Sequence, residues 1–187
     1  MQLFIGLGNP TLEYEDTRHN IGFKMIDMLV SHFNARDISK SSFYGELYRS
    51  RDILFLKPTT YMNLSGKSVI AVKNFFKVDI ENITVIHDDL DLKFGALKFK
   101  VGGGHGGHNG LKSIDSAISK EYKRVRMGIG KPEYKSQVSS YVLSNFSDEE
   151  SKNLDKFLSH TKDALICDKP LDIIKSKYSL KSINSLI

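Results

Sequence analysis

The chain has 187 residues, of which 40% are hydrophobic and 26% charged, with one cysteine, Cys167, and a formal charge of +5. That composition excludes a disordered chain, a disulfide scaffold and a multi-thiolate zinc site, and the length suits one domain with a substantial core. No apolar run approaches the ~18 residues that cross a bilayer, and no basic stretch precedes Met1-Gln2-Leu3-Phe4-Ile5-Gly6. Neither a membrane span nor a signal peptide is expected, and a cytoplasmic, reducing setting is.

In chain order, Gln2–Gly6 reads as a short buried strand closed by glycines and Asn9-Pro10. The spacing of Phe23, Met25, Ile26, Leu29, Val30 and Phe33 predicts an amphipathic helix over 20–34. A strand over 53–56 is stopped by Lys57-Pro58, and helical spacing resumes over 66–77 through Val69, Ile70, Val72, Phe75 and Phe76. Ser65 is expected to cap that helix. Ile83-Thr84-Val85-Ile86 reads as a core strand, and the strict alternation of 97–101 as a half-exposed one. A helix over 110–120 and a strand over 123–129 follow. Ser147-Asp148-Glu149-Glu150 forms a capping box ahead of Leu154, Phe157, Leu158 and Leu165. The alternation predicts an α/β fold: a single three-layer domain spanning 1–187, with a mixed, mostly parallel sheet and helices on both faces.

Ligands of such folds gather beyond the carboxyl ends of the strands. Asn9, Asn63, Asp88 and the glycine cluster after Val101 all follow predicted strands, which suggests one composite site. Charge adds a second clue. Residues 93–131 hold nine basic and two acidic side chains, a local +7, leaving −2 for the remainder. A concentrated positive field suits a phosphate-bearing partner, although lysines on solvated faces give the same count.

The familiar cofactor motifs do not fit. Gly6-Leu7-Gly8 lacks the third glycine of a dinucleotide loop, since position 11 is Thr11, and no Walker phosphate loop is present. Asn63-Leu64-Ser65-Gly66 lacks the first glycine of a nucleophile elbow. His87-Asp88-Asp89-Leu90-Asp91 and the pair His105 and His108 are the candidate metal ligands, without a second set at familiar spacing; a solvated acidic turn accounts for Asp89 and Asp91. Six glycines in Gly102–Gly110 are entropically costly, and a linker would not explain the interspersed His105, His108 and Asn109. This segment reads as a polar substrate-contact loop. His19, in Thr17-Arg18-His19-Asn20 ahead of the first helix, is the candidate base, because imidazole titrates near neutrality. Asp88 is the candidate carboxylate to orient it.

Seven segments in order carry a resemblance: Gly6-Leu7-Gly8-Asn9-Pro10; Glu13-Tyr14; Thr17 to Gly22; Lys57 to Gly66; His87 to Asp91; the glycine–histidine loop; and Arg124 to Gly130. Together, over residues 1 to about 145, they resemble bacterial peptidyl-tRNA hydrolase; Asp89 stands where that family often has glutamate. The resemblance implies hydrolysis of the ester between a peptide and the 3′ end of tRNA, by a cytoplasmic monomer needing neither metal nor cofactor. It implies that His19 is the general base, that Asp88 supports it, and that Asn9, Asn63 and Asn109 contact substrate or orient the attacked carbonyl and water. Asn9 would also distinguish a blocked aminoacyl end from a free one. Tyr14 and Tyr61 would line the substrate site, His108 would support Asn109, and Lys100 and Arg126 would hold tRNA phosphate. The final 40 or so residues look generic. A non-catalytic RNA-binding relative of the same fold, or an esterase of small substrates, remains the alternative reading.

Overall fold

The computed structural model describes residues 1–186. Strand β1 (Gln2–Gly6) leads through two 3-10 turns, Leu12–Tyr14 and Arg18–Asn20, into helix α1 (Ile21–His32). Strands β2 (Arg36–Asp37), β3 (Gly45–Ser50) and β4 (Ile53–Pro58) precede a 3-10 turn, Met62–Leu64, and helix α2 (Ser65–Phe76). Strands β5 (Ile83–Asp89) and β6 (Leu97–Val101), helix α3 (Asn109–Ile118) and strand β7 (Lys123–Gly128) follow. Helices α4 (Val138–Val142), α5 (Asp148–Leu165) and α6 (Leu171–Tyr178) and a 3-10 turn, Ile183–Leu186, complete the described chain.

The sheet order is β2-β3-β4-β1-β5-β7-β6. Parallel pairing runs through β4, β1, β5 and β7, while antiparallel strands close both edges. The period of two splits the core into layers. Leu3, Ile5, Leu54, Leu56, Ile83 and Val85 face Val69, Val72, Leu111 and Ile114 of α2 and α3. Phe4, Phe55, Ile86, Phe99, Val125 and Met127 face Met25, Ile26, Leu29, Phe157 and Leu158 of α1 and α5. This is the three-layer arrangement the alternation predicts.

Differences from expectation have physical causes. β2 and β3 escape the hydrophobic pattern because an edge hairpin is mostly half-exposed and polar. Ser65 is the first residue of α2 rather than its cap; its hydroxyl donates to the Met62 carbonyl at 2.9 Å. The Ser147–Glu150 capping box forms as its spacing requires. Lys77, at φ 52°, ends α2 in a left-handed turn.

The glycine segment needs a correction. β6 is antiparallel to β7, and Val101 pairs with Lys123 at the start of that strand. The exit of β6 therefore lies at the end of the sheet opposite Asp88, and residues 102–108 climb back to reach it. Positive φ at Gly102, Gly103, Gly106 and Gly107 gives the climb its turns.

Candidate active site

Asn9 leaves β1 as one of the few buried polar residues, and three hydrogen bonds hold it. Its main-chain N–H donates to Asn20 Oδ1 at 2.8 Å, and its carbonyl accepts from Asn20 Nδ2 at 2.9 Å. Its side-chain Oδ1 accepts from the Met62 N–H at 2.9 Å. The last contact fixes which way the amide points, because only an oxygen can accept there. The Nδ2 hydrogens are what Asn9 presents to a ligand.

His19 sits on the 3-10 turn before α1, and its Nδ1–H donates to the Asp88 carboxylate, 2.9 Å from each oxygen. This leaves Nε2 as the lone-pair nitrogen. On the other side of Asp88, His108 Nε2–H donates to Oδ1 at 2.9 Å. His108 Nδ1 accepts from the Gly110 and Leu111 N–H groups, so this imidazole caps α3 and its tautomer is set from both ends. Burial by itself would raise the Asp88 pKa, but His19 and His108 together hold it well below the usual carboxylate range. Burial would lower the His19 pKa, yet the charge and hydrogen bonds of Asp88 outweigh it and leave it raised. His87, fully buried, is pushed down to about 3 by burial and by neighbouring His108, so it stays neutral and donates Nδ1–H to the Asp88 carbonyl. The centre is one carboxylate held between two imidazoles, with a third on the main-chain carbonyl of the same residue.

Around this centre the rim is open. The Tyr14 and Tyr61 rings meet edge-on, 6.5 Å apart. Tyr61 (φ 60°, ψ 161°) and Thr11 (φ 82°, ψ 150°) occupy backbone space that is nearly exclusive to glycine, each just before a 3-10 turn. The strain at Tyr61 sets the path by which the next residue's N–H reaches Asn9. Asn63 and Asn109 are both exposed, one on the Met62–Leu64 turn and the other opening α3. His108 joins Asn109 only through the chain; its side-chain bonds go to Asp88 and to the α3 N-terminus.

The positive segment is partly spent inside the protein. Arg124 is fully buried, bonded to Asp115 and to the Gly104 carbonyl, both at 2.9 Å, with Tyr122 also on Asp115. It anchors the glycine loop rather than offering charge to a ligand. Arg126 Nε donates to Asp89 at 2.7 Å, so Asp89 aims the guanidinium. Lys98 pairs across the β6–β7 ladder with Arg126, and Lys100 with Arg124, on one face of the sheet edge. Partial burial and the two neighbouring arginines lower the Lys100 pKa, against the opposing pull of Asp89 and Asp115.

Among the described residues, the grouping able to hold a metal ion is His19, Asp88 and His108. It differs from the candidate pair of His105 and His108; His105 Nδ1 accepts from Gly107 N–H in the loop instead. Two imidazoles and a carboxylate suit a borderline cation such as zinc. Their facing atoms are already joined by hydrogen bonds, which a cation would have to replace.

Residues 3–183 match the family model for peptidyl-tRNA hydrolase. The chain belongs to the peptidyl-tRNA hydrolase family. It is 62% identical to the peptidyl-tRNA hydrolase of a Sulfurovum species, across the full length of both chains. Against that of Sulfurimonas denitrificans the identity is 56%, over 96% of this chain and 97% of the relative. Its fold superimposes on the crystal structure of peptidyl-tRNA hydrolase from Acinetobacter baumannii with a TM-score of 0.91 at 34% identity, covering 98% of this chain and 96% of that one.

Four contributors to this member of the family escape sequence reasoning. Asn20 and the Met62 main chain hold Asn9; Arg124 holds the glycine loop; Arg18 ties His19's turn to the carboxyl-terminal segment. Arg18 pairs with Glu150 at 2.6 Å, bonds Ser144 and Asn145, and stacks 4.4 Å over the Tyr141 ring. The segment that looks generic in sequence thus steadies the turn that carries the base. A buried arginine beside His19 is the signal that could have suggested it, but only a fold shows its partner.

Proposed function

We propose that the chain hydrolyses the ester joining a peptide to the 3′ end of tRNA, with His19 as general base. The observation that carries this reading is the Asp88 carboxylate bonded at 2.9 Å to His19 Nδ1, which leaves Nε2 as the base. Water gives its proton to Nε2 as its oxygen bonds to the ester carbon, and Asp88 stabilises the imidazolium that forms. Charge developing on the carbonyl oxygen is met by amide donors from Asn9, Asn63 and Asn109. Collapse breaks the bond to the ribose oxygen, which takes the proton back from Nε2. The products are a free peptide and a reusable tRNA.

The fixed amide of Asn9 also supplies discrimination. A peptidyl end presents a carbonyl that can accept from Nδ2–H, whereas a free aminoacyl end presents an ammonium, with donors only. We further read Tyr14 and Tyr61 as walls of the substrate site and His108 as the second brace on Asp88. Lys100 and Arg126 are read as the phosphate contacts that make the acceptor end of tRNA the ligand. Residues 1–187 would act as one domain and a monomer, in the cytoplasm. No helix among the described residues is long and apolar enough to cross a membrane.

The test is an assay with peptidyl-tRNA, free aminoacyl-tRNA and an N-blocked small ester. Cleavage of peptidyl-tRNA alone is expected. Cleavage of the small ester at a similar rate would overturn the tRNA reading, and tRNA binding without cleavage would overturn the enzyme.

A further inference from the structure

Two neighbouring strands deliver Asn9 and Asp88, and they separate as they reach the site. Strands β1 and β5 pair in parallel as far as Gly6 and Ile86, and one more bond joins the Leu7 N–H to the Ile86 carbonyl at 3.0 Å. Carbonyls along a strand point alternately to its two neighbours. Ile86 turns its carbonyl toward β1. Asp89 turns its own toward β7 and the chain beyond it, where it accepts from the Ile129 N–H at 3.1 Å. The Asp88 carbonyl therefore faces β1, and the next rung of the ladder would join it to the Asn9 N–H.

Side chains take both halves of that rung. The Asn9 N–H donates to Asn20 Oδ1 at 2.8 Å, and the Asp88 carbonyl accepts from His87 Nδ1–H at 2.7 Å. All four residues are buried, where a peptide group needs a partner. Asn20 thus braces one side of the opening, and His87 braces the other. Packing alone does not account for a histidine at this position. His87 is 3% exposed and shares its face of β5 with Ile83 and Val85 of the core. Its Nε2 is buried with no partner among the described residues, a cost that leucine or phenylalanine would not carry. A neutral imidazole has one N–H, and the 2.7 Å contact with a carbonyl oxygen places that hydrogen on Nδ1. The ring also meets His108 edge-on, with centroids 5.3 Å apart. One side chain therefore backs the Asp88 main chain and the imidazole that holds its carboxylate.

We propose that His87 is a positioning residue for the reaction: its Nδ1–H takes the place of the β1 donor and fixes the main chain from which the Asp88 carboxylate reaches His19 and His108. The proposal rests on the reading of the site as a peptidyl-tRNA ester hydrolase with His19 as base. His87 touches no reacting atom and acts through Asp88. Without its donor, the Asp88 carbonyl is a buried acceptor that must turn to find another partner. The peptide unit is planar, so that turn carries the Asp88 α-carbon and its carboxylate with it. The carboxylate then loses its setting against His19 Nδ1.

The experiment separates the donor from the volume of the ring. In His87→Asn an amide N–H stands where Nδ1–H was, and in His87→Leu a methyl group does; both leave the same void where the outer ring atoms were. With N-acetyl-aminoacyl-tRNA as substrate, kcat of His87→Leu should fall about 10- to 100-fold with KM unchanged, the size expected for a misplaced catalytic group. The conservative His87→Asn should restore kcat to within about threefold of the wild type. Should thermal melting show that His87→Leu does not fold, His87→Phe replaces it, filling the ring volume without a donor. Titration of His19 followed by NMR reads the same difference without a substrate. The His19 pKa, which Asp88 holds up, should drop in His87→Leu and stay in place in His87→Asn. Equal losses of kcat in the two variants would make the histidine a matter of packing and overturn the proposal. A wild-type kcat in His87→Leu, or an equal His19 shift in both variants, would overturn it as well. If the wild-type protein cleaves no peptidyl-tRNA while the NMR difference is seen, the hydrolase reading fails and the brace stands.

Discussion

The centre and the rim of the site are built on opposite principles. At the centre, Asn9 is held at three points and Asp88 accepts from two imidazoles. His108 is fixed through both ring nitrogens, and His19 through Nδ1. At the rim, Asn63, Asn109 and Tyr61 are exposed, and the glycine loop is mostly bare backbone. A reaction gains from groups that need no reorganisation as charge moves, so the centre is wired in advance. A surface that must admit and release a large substrate cannot be wired in the same way. The division predicts that substitutions at the centre, or of the amide donors Asn63 and Asn109, lower kcat, whereas those of rim groups that only line the site, such as Tyr61, raise KM.

The sharpest break in this pattern is His19→Ala. Loss of a general base should lower kcat by about 10²–10⁴ in single-turnover hydrolysis. Binding of tRNA, measured by filter retention, should stay near that of the wild type. Near-normal turnover would remove His19 from the chemistry. Asp88→Asn probes the same centre through pH. The base acts only when neutral, so activity should rise with pH through the His19 pKa, which lies above 6.5 because Asp88 raises it. Removing that charge should move the acid limb of kcat to lower pH while kcat itself falls by about 10²-fold or more. A lower kcat with an unmoved limb would show that Asp88 does not act through His19. Asn20→Ala leaves every group at the reacting atoms in place but releases the Asn9 main chain. A misplaced donor should lower kcat by about 10- to 100-fold; an unchanged kcat would show that the Met62 contact suffices.

What the sequence revealed and what it hid divide along the same line. The layers were legible because Leu3, Phe4 and Ile5, or Val85 and Ile86, alternate between two cores, and residues 20–34 keep helical spacing throughout. His19 and Asp88 stood out as polar groups at strand and helix boundaries. The direction of β6 did not, because alternation at 97–101 says nothing of which way a strand runs, and so nothing of the end of the sheet at which the glycine segment begins. Nor could a charge count separate Arg124, sealed against Asp115, from Lys100, which is half-exposed at the sheet edge. The partners of Arg18 and Asn20 lie 132 and 11 residues away respectively. Such contacts are properties of the fold, and no local pattern encodes them.

Toward the rim the expected effects shrink. Lys100→Ala combined with Arg126→Ala should weaken tRNA binding and reduce the slope of log affinity against log salt by about two, one for each lost phosphate contact. An unchanged slope would mean that the exposed charge of this edge serves no phosphate. The glycine loop gives the mildest and most discriminating case. A methyl group on Gly110 would lie 2.5 Å from Met62 Sδ and 3.1 Å from His108 Cε1, so Gly110→Ala presses on two braces of the centre and should lower kcat. A methyl group on Gly104 meets nothing within 4 Å, and its φ lies outside the left-handed range. Gly104→Ala should therefore raise stability by about 0.4–1 kcal/mol, because alanine has less unfolded freedom to lose. Its kcat should be unchanged. If the loop contacts substrate through bare backbone, KM should nonetheless rise about threefold, a cost of about 0.7 kcal/mol. A stabilised variant with wild-type KM would show that glycine at 104 serves only the path of the chain from Val101 back to His108.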